Sequence, residues 1–441
     1  MNTYEIDYLS AKPADWETKK FRQVFDFFKG LGITKDNLVE EGIPVISYGQ
    51  VHSKDNSGFG LCDALYRYVS ETYLVSDKKC LVKPGDFIFA DTSEDHAGVG
   101  NCAYIDKDET IFAGYHSMVA RPSKTDNYYG KYFAFLFMTD FWRSQIRSEV
   151  MGIKVFSITQ KLLRDTVVII PPVAEQQAIA DFLDDKCSQI DGIIADIEKQ
   201  IEILKNYKKS LITETVTKGL DKNAKMKDSG VEWIGQIPEH WDVKRIKYLL
   251  DGIKDGTHGT YDRVDEGHYL LSAKNVFYDG IHIGDNESLI SESDYLSIIA
   301  NGYPQKGDVL LCCVGTIGRT CVYTNDQPEA FQRSVIFMRP NNTLNSSYLC
   351  YSLQTEGTSL QENMLINKTA QDGLYMGAAK EICIAYTPDI LEQDKIVKFL
   401  DSKCAQIDTI ITTKQTQLAQ MQQHKKSLIY EYVTGKKRVT I

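Results

Sequence analysis

Few side chains in this sequence stand at the spacing that catalysis or metal binding requires. His258, in DGTHGT, has no second histidine or cysteine at ligand spacing, which speaks against a zinc site. Gly315 and Gly318, in VGTIG, suit either a phosphate held by backbone N–H groups or a tight hairpin. The sequence has no Gly-x-x-x-x-Gly-Lys-Ser/Thr loop and neither Asn-Pro-Pro-Tyr nor Asp-Pro-Pro-Tyr. We therefore expect neither ATP hydrolysis nor methyl transfer by this chain.

The bulk composition is that of an ordinary globular chain with room for two or three domains. Its 441 residues are 43% hydrophobic and 25% charged, with no apolar run that could cross a bilayer and no secretion signal, so we expect a cytoplasmic protein. The ten cysteines contain no Cys-x-x-Cys pair, which favours reduced thiols. The net charge of −10 argues mildly against a nucleic-acid partner, although DNA binding needs only a local face.

The elements that must position any functional residues come in two copies. EQQAIADFLDDKCSQIDGII, from Glu175, and EQDKIVKFLDSKCAQIDTII, from Glu392, share most residues at a constant offset of 217. Upstream the match is looser: KPGDFIF resembles QKGDVLL, VGNCAYI resembles IGRTCVYT, and VARP resembles FMRP. A Pro-x-x-Trp step also begins each copy, at Trp16 and Trp241. We predict two tandem units, each a variable globular region followed by a closely repeated helix.

The repeated segments have the apolar spacing of a coiled coil. Steps of four and three residues alternate, which is a heptad a/d seam, with Lys208, Lys414 and Lys425 completing the pattern. Each helix would have roughly 40 residues and a length of about 60 Å. A pseudo-two-fold axis predicts an antiparallel pair that holds two heads apart, and a helical hairpin packed in a core is the alternative. The apolar seam residues are Ile190, Ile194, Ile197, Ile201, Leu204, Leu211, Ile407, Ile411, Leu418, Met421 and Leu428.

Two related heads at a fixed separation match the repeat of duplex DNA. Half-sites one helical turn apart, about 34–36 Å, present the same groove on the same face. Because the heads have diverged, the two half-sites should differ in sequence, which predicts an asymmetric bipartite site.

The ordered motifs resemble those of the specificity subunit of type I restriction–modification systems, over nearly the whole chain. SGVEWIGQIPEHWDVKRIKYLL is similar to the start of a target recognition domain in that family. DGTHGT, LLSAKNV and KGDVLLCCVGTIG are similar to its internal blocks, and PPVAEQQAIADFLD and TPDILEQDKIVKFLD to its conserved helical regions. The first domain departs from this pattern, because it lacks the DGTH block and has TSEDHAGVG where the second has CVGTIG.

The resemblance implies a non-catalytic subunit of the α+β class. Two tandem mixed α/β target recognition domains would be separated by two long conserved helices that form an antiparallel, pseudo-two-fold symmetric coiled coil. Two methyltransferase subunits would dock on the helical regions and methylate adenine with S-adenosylmethionine, and translocase–endonuclease subunits would use ATP and Mg; this chain would bind no cofactor, metal or membrane. The expected boundaries are 1–170 and 238–386 for the recognition domains, 171–220 and 387–441 for the conserved helices, and 221–237 for the linker.

Base edges in the major groove call for Arg, Lys, Asn, Gln and small hydroxyl residues on exposed loops. His258 then suits a turn near DNA or a purely structural turn, and lysines more often contact phosphates than bases. A solvated surface role stays open for every candidate. The candidates are Lys254, Thr257, His258, Lys274, Asn275, Arg319, Gln332 and Arg333 in the second domain, and His52, Lys54, Asn56, His96, Asn101 and His116 in the first.

Three rival interpretations remain open at this stage. A structural adaptor with two protein-binding heads suits the acidic balance, but not the specific sequence blocks. A single-chain enzyme is undercut by the missing cofactor motifs. A subunit of a methylation-only system would carry the same motifs as one that also restricts DNA.

Overall fold

The computed structural model describes residues 12–123, 127–150, 152, 155–366 and 373–439. Its internal contacts divide the chain into two compact units. Unit 1 comprises Met1–Ile197 with Gln417–Ile441, and unit 2 comprises Glu198–Thr416. Each unit therefore contains one globular region and part of each long helix.

The globular region of unit 1 is built on two neighbouring sheets. Its strands are β1 (Glu17–Lys20), β2 (Phe25–Lys29), β3 (Leu38–Val39), β4 (Ile43–Ile46), β5 (Arg67–Val69), β6 (Leu81–Val82), β7 (Phe87–Ala90), β8 (Thr92–Ser93), β9 (Cys102–Tyr104), β10 (Ile111–Ala113), β11 (Ser117–Pro122), β12 (Phe156–Ser157) and β13 (Val167–Ile170). One sheet has the order β2–β11–β7–β9 and is antiparallel throughout. The other has the order β3–β5–β4–β10–β6, with β10 parallel to β4.

Unit 2 repeats this plan. Its strands are β14 (Met226–Asp228), β15 (Gln236–Pro238), β16 (Asp242–Arg245), β17 (Leu250–Asp255), β18 (His268–Leu271), β19 (Val276–Phe277), β20 (Gly280–Ile281), β21 (Leu289–Ile290), β22 (Val309–Cys312), β23 (Thr320–Val322), β24 (Ala330–Phe331), β25 (Val335–Pro340) and β26 (Cys383–Tyr386). The sheet β17–β25–β22–β23 corresponds to β2–β11–β7–β9, and the parallel pair β18–β24 corresponds to β4–β10. The pairs β1–β13 and β16–β26 also correspond. The tandem repeat therefore extends through the regions whose sequences match only loosely.

Helices complete both units. They are α1 (Tyr48–Val51), α2 (Tyr73–Ser76), α3 (Gly130–Phe137), α4 (Asp140–Arg147), α5 (Gln160–Asp165), α6 (Val173–Lys218), α7 (Glu292–Ala300), α8 (Ser346–Leu353), α9 (Glu356–Leu365), α10 (Met376–Ala379) and α11 (Ile390–Val433). Helices α4 and α9 begin alike: Thr139 accepts a hydrogen bond from Trp142 N at 3.4 Å, and Thr355 accepts one from Thr358 N at 3.2 Å. Aromatic side chains of α3, α4, β2 and β7 fill the core of unit 1, which explains the buried run YFAFLF.

The two long helices pair in antiparallel fashion. In unit 1, the Phe182 and Tyr432 rings contact each other at a tilt with centroids 4.5 Å apart, and the Asp191 carboxylate lies 2.6 Å from Lys425 Nζ. In unit 2, the Asp408 carboxylate lies 2.6 Å from Lys208 Nζ. These two ion pairs are copies of each other under the sequence repeat. The antiparallel coiled coil that the heptad spacing predicted is confirmed.

Burial along the helices follows the heptad steps. Ile190, Ile197 and Ile201 are between 6% and 8% exposed, as are Ile407 and Ile411. The other seam positions, Ile194, Leu204, Leu211, Leu418, Met421 and Leu428, are half-buried, whereas the residues between the seam positions are exposed. Lys208 and Lys425 occupy seam positions because each reaches a carboxylate at the edge of the seam.

The repeated Pro-x-x-Trp starts are explained by buried contacts to the helix N-termini. Trp16 Nε1 donates to Glu175 Oε2 at 3.0 Å, and Trp241 Nε1 donates to Glu392 Oε2 at the same distance. The next residue of each helix is also fixed, since Gln176 Oε1 accepts from Tyr129 N at 2.9 Å. Its counterpart in unit 2 accepts from Asn345 N at 2.8 Å. Each Glu-Gln pair therefore joins a long helix to the globular region of its own unit.

Candidate nucleic-acid interface

In unit 2 the backbone of the DGTH segment runs directly against the backbone of residues 331–335. We call this close contact the backbone crossing. Gly256 N donates to Val335 O at 3.0 Å, and Thr257 N donates to Phe331 O at 2.8 Å. A Cβ atom on Gly256 would lie 2.3 Å from the carbonyl oxygens of Phe331 and Gln332, so the crossing requires glycine. We call the segments that meet here, residues 256–258, 271–275, 313–319 and 331–334, the second edge.

Several predicted contact residues lie exposed at or beside this edge. Lys254 and Arg333 are exposed. The His258 side chain is 62% exposed, with Nε2 2.8 Å from an oxygen of Asp255. Lys274 is exposed as well, and its Nζ lies 2.6 Å from Glu287 Oε1. The second edge therefore presents cationic and imidazole side chains on a chain whose overall charge is negative.

The Glu287 carboxylate beside Lys274 is deeply buried, at 4% side-chain exposure. Burial by itself would raise the pKa of Glu287, but hydrogen bonds from Lys274 and Asn275 outweigh it and lower that pKa. The carboxylate is thus held ionised and keeps one end of the Lys274 side chain in place.

Three further candidates of the second domain have polar side-chain atoms engaged within the fold. Asn275 is only 2% exposed, and its amide donates to His282 O and to Glu287, so the expectation that it lies on an exposed loop is wrong. Arg319 is half-buried: it donates to Val276 O at 3.2 Å and lies over the Phe277 ring at 4.7 Å. Thr257 and Gln332 are half-buried, and Thr257 Oγ1 lies 2.6 Å from the hydroxyl of Tyr261.

The VGTIG segment is a tight hairpin between β22 and β23. Cys312 N donates to Arg319 O at 2.8 Å, and Gly318 N donates to Cys312 O at 3.1 Å. Gly315 and Gly318 both adopt positive φ, +79° and +83°, which explains the glycines.

Unit 1 contains the same crossing, although its sequence lacks DGTH. Gly30 N donates to Ser117 O at 3.2 Å, and Leu31 N donates to Ala113 O at 2.8 Å. A Cβ on Gly30 would lie 2.1 Å from Gly114 O, as tight as at Gly256. We call the corresponding segments of unit 1, residues 30–32, 47–52, 91–101 and 114–116, the first edge. It has Leu31 and Gly32 at the positions where the second edge has Thr257 and His258. Sequence comparison missed KGLG because it shares only the one glycine with DGTH.

A second correspondence was also missed. In VISYGQV, Ser47 N donates to Gln50 Oε1 at 3.1 Å, just as Ser272 N donates to Asn275 Oδ1 at 2.9 Å in LLSAKNV. The signal that could have found it is a shared order of residues: two apolar residues, serine, two further residues, an amide side chain and valine.

Most first-domain candidates have their polar atoms committed to the fold. His52 Nε2 lies 2.8 Å from Thr92 O, and its Nδ1 lies 3.2 Å from Asn101 Nδ2. The ring therefore donates from Nε2 and accepts at Nδ1. Asn56 donates to Val51 O and Cys102 O and accepts from Gly58 N.

The remaining first-domain candidates are exposed. His96 Nε2 lies 3.2 Å from Arg147 O, and Lys54 extends from a surface loop. The His116 ring is 60% exposed, with Nδ1 3.2 Å from Asp91 Oδ1. Each of the three presents a polar atom without a hydrogen-bond partner among the described residues, namely Lys54 Nζ, His96 Nδ1 and His116 Nε2.

Each unit has a buried aspartate that forms an ion pair with an arginine. The Arg339 guanidinium binds both carboxylate oxygens of Asp308 at 2.9 Å, and Arg121 binds both carboxylate oxygens of Asp86 through Nε and Nη2 in the same forked manner. The side chains of the two aspartates are 3% and 1% exposed. These ion pairs explain the aspartate shared by the repeated KPGD and QKGD segments. They also explain the arginine shared by VARP and FMRP.

The two units differ beneath the hairpin glycine. Gly100 in unit 1 lies over Ile146, and Gly318 in unit 2 lies over Glu362. Glu362 is 4% exposed, and its Oε1 has no hydrogen-bond partner among the described residues. Burial raises the pKa of Glu362 to about 7.

Within the described ranges, no three His, Cys, Asp or Glu side chains come together in a geometry that could hold a metal ion. Among the same residues, every helix is too short or too polar to cross a lipid bilayer.

Comparisons with known proteins agree with this arrangement. The family model described as "Type I restriction modification DNA specificity domain" matches residues 13–203 and 238–420. The type I restriction enzyme MjaVIII specificity subunit of Methanocaldococcus jannaschii is 29% identical over 307 residues, 67% of this chain and 68% of the relative. The putative type I restriction enzyme MjaX specificity subunit of the same organism is 26% identical over 446 residues, 97% of this chain and 95% of the relative.

Two solved structures share the fold. A chain from a structure described as the basis of complex assembly and conformational transition of the type I R-M system superposes with a TM-score of 0.68 at 16% identity, covering 97% of this chain and 99% of its own. The HsdS subunit from Thermoanaerobacter tengcongensis superposes with a TM-score of 0.51 at 16% identity, covering 97% and 98%. At 16% sequence identity, these superpositions show that the fold is shared and nothing more.

Proposed function

Because this chain belongs to the family of type I restriction–modification DNA specificity domains, we propose that each of its two units reads one half of an asymmetric bipartite DNA site. The chain is the recognition subunit of the complex and performs no catalysis itself. The observation that carries this proposal is the pair of equivalent edges. The same backbone crossing, at Gly30 and at Gly256, presents different side chains in the two units.

Duplicated backbone with diverged side chains is what recognition of two different half-sites requires. The backbone contacts set the position of each edge, whereas base readout depends on the side chains that the edge carries. Gly32 has no side chain to make the hydrogen bond that the exposed His258 ring can make. The two half-sites therefore differ in sequence.

The local charge of the second edge answers the objection from the net charge of −10. Lys254 and Arg333 are exposed at or beside this edge and can neutralise phosphates beside the bases that are read. Partner subunits supply further phosphate contacts.

We infer the partners from the family. Two methyltransferase subunits dock on the long helices and methylate adenine with S-adenosylmethionine, and translocase–endonuclease subunits use ATP and Mg to cut unmodified DNA. The helices set the spacing between half-sites, this chain binds no cofactor, and the complex acts on DNA in the cytoplasm.

The test is methylome sequencing of a methylation-free host that expresses this chain with the methyltransferase encoded beside it. The expected result is an asymmetric two-part motif with methyladenine on both strands, lost when this chain is omitted. A catalytically inactive methyltransferase is the matched control.

No new methylation, with the methyltransferase soluble and bound to this chain, would refute sequence recognition and favour an adaptor. Adding the translocase subunit and challenging the cells with unmethylated phage distinguishes a restricting system from one that only methylates.

A further inference from the structure

His116 is a first-domain candidate whose exposed ring keeps a polar atom free. His52 and Asn56 have all their polar side-chain atoms engaged within the fold, whereas Asn101 uses Nδ2 and His96 uses Nε2 alone. The His116 ring uses only Nδ1, and its Nε2 has no hydrogen-bond partner among the described residues. The side chain is 60% exposed at the first edge.

The backbone at His116 is also unusual. It has φ of +52°, and it is the one non-glycine residue with positive φ in the part of the chain that the structure describes. A side chain in this conformation strains the backbone, and such strain concentrates at functional sites. The equivalent position in unit 2 is Ser334, since Ser117 pairs with Ala90 as Val335 pairs with Cys312.

The ring is held in one orientation by three neighbours. Asp91 Oδ1 lies 3.2 Å from Nδ1, which makes Nδ1 the donor and directs Nε2 away from the carboxylate. Tyr48 packs edge-on with ring centroids 5.5 Å apart, and Tyr115 does so at 6.1 Å. A fixed ring with one free polar atom is suited to reading a hydrogen-bonding group at a defined position.

We propose that His116 is a specificity-determining residue that contacts a base edge through Nε2 in the half-site read by unit 1. The inference rests on the proposed function of the two edges. A base edge is favoured over a phosphate because the Asp91 carboxylate beside the ring would repel a phosphate group, whereas a base edge is uncharged.

The test compares His116→Gly with the control Asp108→Gly, a change at an exposed loop residue of unit 1 that lies outside the first edge, in the complex with the methyltransferase. Glycine removes the ring and relieves the positive φ, so folding should be unharmed, and His116→Asn is a second variant that tolerates this backbone conformation. The probes are duplexes of the wild-type methylome motif, each carrying one substituted base pair.

For His116→Gly, discrimination at one base pair of one half-site should fall by roughly 5- to 150-fold, as for one good base contact. The other half-site and the salt dependence of affinity should stay unchanged, and Asp108→Gly should bind as wild type. Equal weakening on all duplexes with a shallower salt dependence would make His116 a phosphate contact and overturn the proposal. Unchanged discrimination in both His116 variants would also overturn it. Failure of the proposed function is separate, because wild type would then show no motif.

Discussion

Replacing Glu362 by isoleucine should stabilise unit 2, because it installs the residue that unit 1 has at the same place. Gly318 and Gly100 are the corresponding hairpin glycines, with φ of +83° and +85°. A Cβ on Gly100 would lie 3.3 Å from Ile146 Cδ1, and one on Gly318 would lie 2.5 Å from Glu362 Oε2, so both side chains fill the same position.

The magnitude follows from the pKa of Glu362, which burial raises from an ordinary 4.5 to about 7. Each pKa unit corresponds to about 1.4 kcal/mol, so ionising this carboxyl in the folded state costs about 3 kcal/mol. Between these two values the folded state binds more protons than the unfolded state. The free energy of unfolding therefore falls as pH rises through this range, and the full loss is present above pH 7.

The assay is hydrogen–deuterium exchange of peptides from α9 and from residues 313–319, corrected for intrinsic exchange rates, between pH 5 and pH 8. Wild type should lose protection in unit 2 as pH rises, and Glu362→Ile should lose little of it. Glu362→Gln should remove the pH dependence but keep part of the cost of a buried polar group. The reciprocal variant Ile146→Glu should introduce the same pH dependence into unit 1.

Protection of α9 that is flat from pH 5 to pH 8 in wild type, with no gain in Glu362→Ile, would refute the reasoning. It would mean that the carboxyl is solvated or paired in solution.

Three further changes follow from the same contacts. Replacing Ile194 and Ile201 together by Asp should lower the free energy of unfolding by several kcal/mol, because it places unpaired charges in the seam. Thermal unfolding and co-purification with the methyltransferase measure the loss. Full site-specific methylation by this variant would contradict the spacer role. Gly256→Ala should abolish recognition of the unit 2 half-site, because its Cβ would lie 2.3 Å from two carbonyl oxygens. The control Gly252→Ala should change binding little, because the nearest atom to its Cβ is 4.0 Å away. Equal duplex binding by both variants would contradict a role for the backbone crossing in recognition. Arg339→Met should destabilise unit 2 by about 3 kcal/mol, because Asp308 would stay buried without its cation, and Arg121→Met should do the same in unit 1. Denaturant unfolding of both variants measures the loss. A loss below about 1 kcal/mol would show that water or the hydrogen bond from Gln305 N is enough to stabilise the buried Asp308 carboxylate.

The sequence by itself determined the parts of this protein that depend on local and periodic patterns. The 217-residue repeat and the four-three spacing determined the two helices, their seam and their antiparallel pairing, because a helix exposes its apolar periodicity directly in the sequence. The predicted helical regions, 171–220 and 387–441, enclose the observed Val173–Lys218 and Ile390–Val433.

Only the tertiary structure decided which polar residues of the loops are free to contact DNA. Asn275 and Arg319 are of the right type for base readout, yet partners distant in sequence bury or occupy them. Gly30 looked like any loop glycine until the carbonyl of Gly114 was found where its side chain would be. The physical reason is that the burial of a polar group and the need for glycine are set by atoms brought close by folding, and no local pattern records them.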